Sequence, residues 1–250
     1  MSTSPKPAQA ALFAPCLAEH LLPDLLEATA RVLARAGVRP TYPPKQTCCG
    51  QMAMKAGLRP QAARLARRFL KLFEDAEAVV APSGSCVAMV RKYYPLLLAD
   101  DPGAAAAARD LAARTWELSE FLVDVLGAPD LGSTWPGTAV YHPSCQVHRV
   151  LGVIDQPQRL LAQVAGLTLL PLEDAERCCG FGGAFSLEFP DISDSLGRRK
   201  ALAVGDSGAQ YLVVAEVSCL LNIAAFLPKL RIPVEPVHLA QVLAGGLGPA

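Results

Sequence analysis

The chain has no charge block of either sign. Its 23 Lys and Arg balance 23 Asp and Glu for a formal net charge of zero. Nothing in that balance suits nucleic acid or an anionic membrane surface. The start, Met1 to Gln9, lacks the charged opening, long apolar run and small-residue cleavage site of a signal peptide. The most apolar stretch, Tyr211 to Leu227, is interrupted by Glu216 and Asn222 and is too short and polar to span a bilayer. These absences predict a cytoplasmic protein with no transmembrane segment. No glycine-rich phosphate loop or dinucleotide fingerprint occurs, which argues against a bound NAD or flavin. The closely spaced cysteine pairs that form structural zinc knuckles are missing too.

What the chain does have is a repeated cysteine pattern. Cys48-Cys49-Gly50 recurs as Cys178-Cys179-Gly180. Each copy has one cysteine upstream, Cys16 or Cys145, and one downstream, Cys86 or Cys219. The upstream steps are 32 and 33 residues and the downstream steps 37 and 40. All eight cysteines are used, four per half in the same order. In a reducing compartment they argue for metal or redox chemistry rather than a disulfide framework. A four-thiolate set suits an iron–sulfur cluster or a zinc ion. Adjacent cysteines favour the larger cluster, because two neighbouring side chains can reach different iron atoms. Zinc remains the chemical rival.

The halves also match between the cysteines. Ala11 to Pro15 and Ala139 to Pro143 are apolar runs that end in Pro shortly before a cysteine, and each reads as a buried strand. Helices follow at Leu25 to Ala36, stopped by Gly37, and at Gln158 to Val164. Second strands are predicted at Arg39 to Pro43 and Leu167 to Leu172, each leading to Cys-Cys-Gly. Helices then run over 61–73 and 193–206. Third strands at 78–81 and 211–214 lead to Ser85-Cys86 and Ser218-Cys219, and closing helices span 118–126 and 239–243. The Ala-rich run 104–108 reads as an exposed helical surface turn, and 127–137 as the connection between halves.

With 52% apolar residues the chain can build real cores. The expected fold is α/β: two pseudo-repeated Rossmann-like lobes, 1–130 and 131–250, each with a small parallel sheet flanked by helices. Every cysteine then falls at the carboxyl end of a strand, where such sheets place their sites. Gly50, Gly180, Gly182 and Gly183 are candidate cofactor-binding positions, able to take positive φ close to an inorganic core. His142 and His148 flank Cys145. A fifth ligand or proton donor is conceivable there, while base rates for histidine favour a supporting or structural role. Arg149 reads as a surface arginine able to meet an acid. Ser85 and Ser218 read as hydroxyl donors in loops, and Phe181 and Phe185 as packing for the second loop. No catalytic residue is assigned.

These residues resemble the cysteine-rich CCG domain of heterodisulfide reductase and of iron–sulfur subunits of glycolate oxidase and anaerobic glycerol-3-phosphate dehydrogenase. The stand-alone form of that domain is the lactate utilization protein A family. The likeness includes Pro82 to Cys86, Trp116 to Phe121, Arg149 to Val153 and Cys178 to Gly183. It implies an iron–sulfur electron-transfer component of a multi-protein complex that oxidises L-lactate to pyruvate. The implied partners are a ferredoxin-like iron–sulfur protein and a third small subunit. Cys16, Cys48, Cys49 and Cys86 would hold one 4Fe–4S-type cluster; Cys145, Cys178, Cys179 and Cys219 would hold the other. The heterodisulfide reductase relatives carry a further cysteine where this chain has Met89 and Asn222, so their disulfide-cleaving chemistry does not transfer. Two other functions stay open: a catalytic subunit that binds substrate at an open cluster iron, and a zinc-stabilised interaction protein without redox activity.

Overall fold

The computed structural model describes residues 6–246; the polar start read over residues 1–5 lies outside the described residues. In the first lobe β1 (Gln9–Leu12) leads to α1 (Cys16–Leu21) and α2 (Pro23–Arg35). Next, β2 (Arg39–Thr41) leads to α3 (Gln51–Lys55) and α4 (Arg59–Leu72). From β3 (Val79–Ala81) the chain enters α5 (Gly84–Ala88), passes a π-helical turn into α6 (Tyr94–Leu97), and forms α7 (Pro102–Ala113). Finally β4 (Thr115–Glu117) runs into α8 (Leu118–Glu120), prolonged by a π-helical turn to Val125.

The second lobe repeats the plan. It contains β5 (Thr134–His142), a π-helical segment over Gln146–Leu151, α9 (Gln156–Leu161), β6 (Ala165–Leu169), α10 (Phe185–Glu188) and α11 (Pro190–Asp206). Then come β7 (Tyr211–Val214), α12 (Val217–Ala224), β8 (Glu235–His238) and α13 (Leu239–Leu243). Both sheets are four-stranded and wholly parallel, in the orders β2-β1-β3-β4 and β6-β5-β7-β8.

Strand periodicity divides the core. Alternate residues face opposite sides of a sheet. Ala10 and Val80 of the first sheet, and Ala139, Tyr141 and Val213 of the second, join one core shared by both lobes. Helices α2, α8, α9 and α13 fill it with Leu25, Val32, Leu118, Leu160 and Leu243. The opposite faces pack outward. Ala11, Phe13 and Val79 meet Phe69, Phe73 and Tyr94 in the first lobe, and Val140, Leu212 and Val214 meet Val204 and Phe226 in the second. Burial on both faces explains why these strands read as continuous apolar runs.

Three expectations are corrected. Each sheet has a fourth strand, β4 or β8, where the sequence suggested only the approach to a closing helix. These edge strands are three and four residues long, too short to show a period, and Pro236 masks β8 because edge strands tolerate proline. The connection 127–137 is shorter than expected, since β5 begins at Thr134 and pairs with β6 through an irregular register between Thr134 and Gly137. The Ala-rich run is helical as expected, but only one side of it is exposed. It lies inside α7, where Ala105, Ala108 and Leu111 are buried.

Strand register aligns the halves. Ala81 pairs with Glu117 and Val214 with His238, so these two buried residues occupy matching sheet ends. Each caps the helix that follows. Glu117 accepts from the Ser119 amide at 2.8 Å and from the Ser119 hydroxyl. His238 Nδ1 accepts from the Ala240 amide at 3.1 Å, and Gln241 completes a capping box. Burial raises Glu117 to about 7 and lowers His238 to about 4.

Their effects on stability oppose each other. Between pH 4.5 and about 7 only the unfolded chain ionises Glu117, so its contribution falls as pH rises. Between about 4 and 6.5 only the unfolded chain protonates His238, so its contribution grows as pH rises. Each effect is on the order of 3 kcal/mol. In Glu117→Gln, unfolding midpoints taken as variant minus wild type should climb steadily from pH 4.5 to 7. A flat difference would place Glu117 in an ordinary titration range.

Candidate metal centres

All eight cysteines follow the carboxyl ends of strands. Cys16 opens α1 just beyond β1, and Cys145 holds the same place after β5. Cys48 and Cys49 occupy the loop between β2 and α3; Cys178 and Cys179 lie between β6 and α10. Cys86 and Cys219 sit in the first turns of α5 and α12, beyond β3 and β7. Parallel strands with crossover helices bring these three loops of each lobe to one edge of its sheet.

Each set is a chain of neighbouring free thiols. Cys49 Sγ lies 3.6 Å from Cys86 Sγ, and Cys179 Sγ lies 3.0 Å from Cys219 Sγ. Cys16 reaches Cys48, and Cys145 reaches Cys178. The sulfurs cannot all ionise unaided at such separations. Hydrogen bonds from Cys16 and Cys49 hold Cys48 far down in the thiolate range, and Cys145 and Cys179 do the same for Cys178. The donors Cys16, Cys49, Cys145 and Cys179 are pushed up in return, with burial adding to the shift. A cation placed among them would remove that conflict by stabilising every thiolate at once. Four converging soft sulfur donors per lobe therefore fit an iron–sulfur cluster or a zinc ion.

The glycines take the left-handed conformations expected of them: φ is +86° at Gly50, +93° at Gly180, +59° at Gly182 and +72° at Gly183. This turns the Gly50 amide onto Cys48 Sγ at 3.4 Å and the Gly180 amide onto Cys178 Sγ at 3.3 Å. The amides donate to cysteine sulfur and favour the thiolate.

The two sets face each other. Gln51, Ser85, Phe181, Glu216 and Ser218 line the clefts in front of both. Lys55 Nζ donates to the Gly182 carbonyl at 3.3 Å, joining the two Cys-Cys-Gly regions. Ser83 and Glu216, each three residues before the downstream cysteine, form an isolated antiparallel bridge between the lobes.

Glu216 is the residue that sequence reasoning missed, having treated it only as an interruption of an apolar stretch. Its buried carboxylate accepts from the Ser85 amide at 2.6 Å, from Ser85 Oγ at 3.0 Å and from Ser83 Oγ at 3.1 Å. It also accepts from Ser218 Oγ at 3.1 Å. Burial, with Cys219 nearby, raises its pKa. An acid in so apolar a segment, at the position that holds Ser83 in the first half, was the available signal. Ser85 and Ser218 act as the loop donors expected of them. Arg149 donates to the Glu176 carbonyl, and His148 Nε2 lies 3.7 Å from Glu176, so both brace the segment before Cys178. His142 lies beside Cys179 and Cys219. Phe181 packs against the outer core of the second lobe, and Phe185 stacks on Phe189.

Known proteins carry the same plan. The sequence model of the cysteine-rich CCG domain matches residues 10–91 and 139–224. Lactate utilization protein A of an Exiguobacterium species is 43% identical over 95% of this chain and 97% of its own length. Lactate utilization protein A of Bacillus pumilus is also 43% identical, over 93% of this chain and 97% of its own. A crystal structure of a hypothetical protein from Helicobacter pylori shares the fold, with a TM-score of 0.63 at 13% identity. It aligns with 97% of this chain, which spans 50% of that protein's length. The duplicated cysteine pattern, the paired parallel sheets and these end-to-end matches establish that the chain belongs to the lactate utilization protein A family of cysteine-rich CCG-domain proteins.

Proposed function

We propose that this protein serves lactate utilization as an iron–sulfur electron-transfer component of a complex that oxidises L-lactate to pyruvate. The observation that carries the reading is the pair of matching four-cysteine sets facing a common wall. Membership of a family named for lactate utilization supplies the substrate. Cys16, Cys48, Cys49 and Cys86 would hold one 4Fe–4S-type cluster in the lobe spanning 1–130. Cys145, Cys178, Cys179 and Cys219 would hold the other in the lobe spanning 131–250. Such clusters supply one-electron transfer when bound.

The chain's own residues have separable tasks in this reading. The glycine amides that donate to Cys48 and Cys178 favour the thiolate form needed for ligation. Glu216 and its serine donors hold the two downstream cysteine loops at a fixed separation. Phe181 lines both clefts in front of the sulfurs. No helix among the described residues is long and apolar enough to cross a membrane. The proposed location is the cytoplasm, whose reducing conditions suit eight free cysteines. A ferredoxin-like iron–sulfur protein and a third small subunit complete the proposed assembly.

Iron, acid-labile sulfide and zinc should be assayed on anaerobically purified protein. About eight iron and eight sulfide per chain are expected for two clusters of this type. Lactate should reduce them only with the partner subunits present. Reduction by lactate in the isolated holoprotein would make this chain the catalytic subunit. Zinc without sulfide, reproduced after anaerobic reconstitution, would defeat the electron-transfer reading.

A further inference from the structure

The two centres are not equivalent in their surroundings. Ala11 pairs with Val79 and Val140 with Leu212, and each of those partners stands seven residues before the downstream cysteine. The register therefore aligns Phe13 with His142 and Pro15 with Ser144. The apolar runs looked equivalent because both end in proline, yet Pro143 is one position out of step with Pro15. In the first lobe the position holds Phe13, packed edge-on against Phe69 with ring centroids 4.8 Å apart. In the second lobe it holds an imidazole, 1% exposed.

We propose that His142 is a metal ligand of the second centre, adding an imidazole nitrogen to the four thiolates there. The inference rests on the reading of the cysteine sets as iron–sulfur centres. A ring nitrogen of His142 and the sulfurs of Cys179 and Cys219 all lie within 4.8 Å of one another. Nδ1 lies 3.3 Å from the Ala175 carbonyl, which also accepts from Lys200 Nζ at 3.0 Å. A carbonyl oxygen can only accept, so Nδ1 carries the proton and Nε2 keeps its lone pair. Ligating histidines are commonly oriented in this way, the second nitrogen donating to a backbone carbonyl.

Nε2 is buried and finds no nitrogen or oxygen partner among the described residues, and the imidazole lies against the Cys219 sulfur. Leaving such an acceptor unsatisfied carries the full desolvation penalty of the group. Once Cys179 and Cys219 are thiolates they have no proton to offer it, and a cation in their midst becomes the partner. The first lobe cannot match this arrangement, since Phe13 and Pro15 carry no donor atom in their side chains. The first centre accordingly takes four protein ligands and the second takes five, with sulfur and nitrogen donors mixed. Ligand identity sets iron–sulfur potentials, so an added imidazole makes the two centres differ in reduction potential.

The deciding experiment is pulsed EPR on the anaerobically purified holoprotein, after its iron and sulfide have been counted. The expected result is a strongly coupled nitrogen on one of two centres, changing its pattern when histidine is labelled with 15N. In His142→Phe, which copies the first lobe, that coupling should disappear and the potential of that centre should shift, with the other centre unchanged. Iron–sulfur protein with two centres and no ligand-strength nitrogen coupling would overturn the inference while leaving the electron-transfer reading intact. Zinc without sulfide would overturn both. If His142→Phe does not accumulate, the labelled wild-type protein decides by itself.

Discussion

Glu216→Ala should destabilise the protein by about 3–5 kcal/mol and empty both centres. The carboxylate is the acceptor for Ser83 Oγ, Ser85 N, Ser85 Oγ and Ser218 Oγ. Alanine leaves the buried Ser83 and Ser85 donors without it, while Ser218 is partly exposed, and each buried donor left unsatisfied costs about 1–3 kcal/mol. Recovered burial cost of the acid itself offsets part of the sum. Ser85 and Ser218 each precede a downstream cysteine, so the loss reaches Cys86 and Cys219 together. Glu216→Gln keeps one acceptor oxygen and should lose about 1–2 kcal/mol with most of its iron retained. Unfolding of the holoprotein and iron per chain measure both effects. Alanine and glutamine variants of equal stability and full iron content would remove Glu216 from this role.

Gly180→Ala and Gly50→Ala should differ sharply although the two glycines hold the same place in the repeat. Both have positive φ, +93° and +86°, and a side chain there costs about 1–2 kcal/mol. A Cβ at Gly50 would meet nothing nearer than 3.4 Å. At Gly180 it would lie 2.5 Å from the Ser193 carbonyl oxygen and 3.1 Å from the Gly197 amide. These are backbone atoms of α11, which is itself pressed on Phe226: a Cβ at Gly197 would stand 2.2 Å from that ring. The helix cannot retreat, and overpacking adds about 1–3 kcal/mol. Gly180→Ala should therefore cost about 2–5 kcal/mol and halve the iron content. Gly50→Ala should cost about 1–2 kcal/mol and keep both centres. Equal losses in the two variants would show that backbone conformation alone governs the effect.

The fold was largely legible because its signals are local. Parallel strands buried on both faces show as apolar runs, and the repeated cysteines mark where each run ends. Gly37 announces the end of α2 by the conformation it must adopt, φ +83°. The elements that escaped detection are those whose formation depends on neighbours. β4 and β8 are short edges made by pairing with β3 and β7, not by any pattern of their own. Ala105 and Ala108 are buried because other elements cover that face of α7, which their small side chains alone do not specify.

By itself the sequence determined the duplication, the α/β class and the placing of the eight cysteines after strands, since each is written in spacing or in apolar runs. Only the tertiary structure decided how the halves meet. Glu216 gathers Ser83 and Ser85 from 133 and 131 residues away, a separation at which no periodicity survives. Phe13 and His142 each stand three residues before the upstream cysteine, so the sequence already aligns them, and strand register agrees. Only the packed sheets, whose register is set by hydrogen bonding between strands distant in the chain, bring that imidazole beside Cys179 and Cys219.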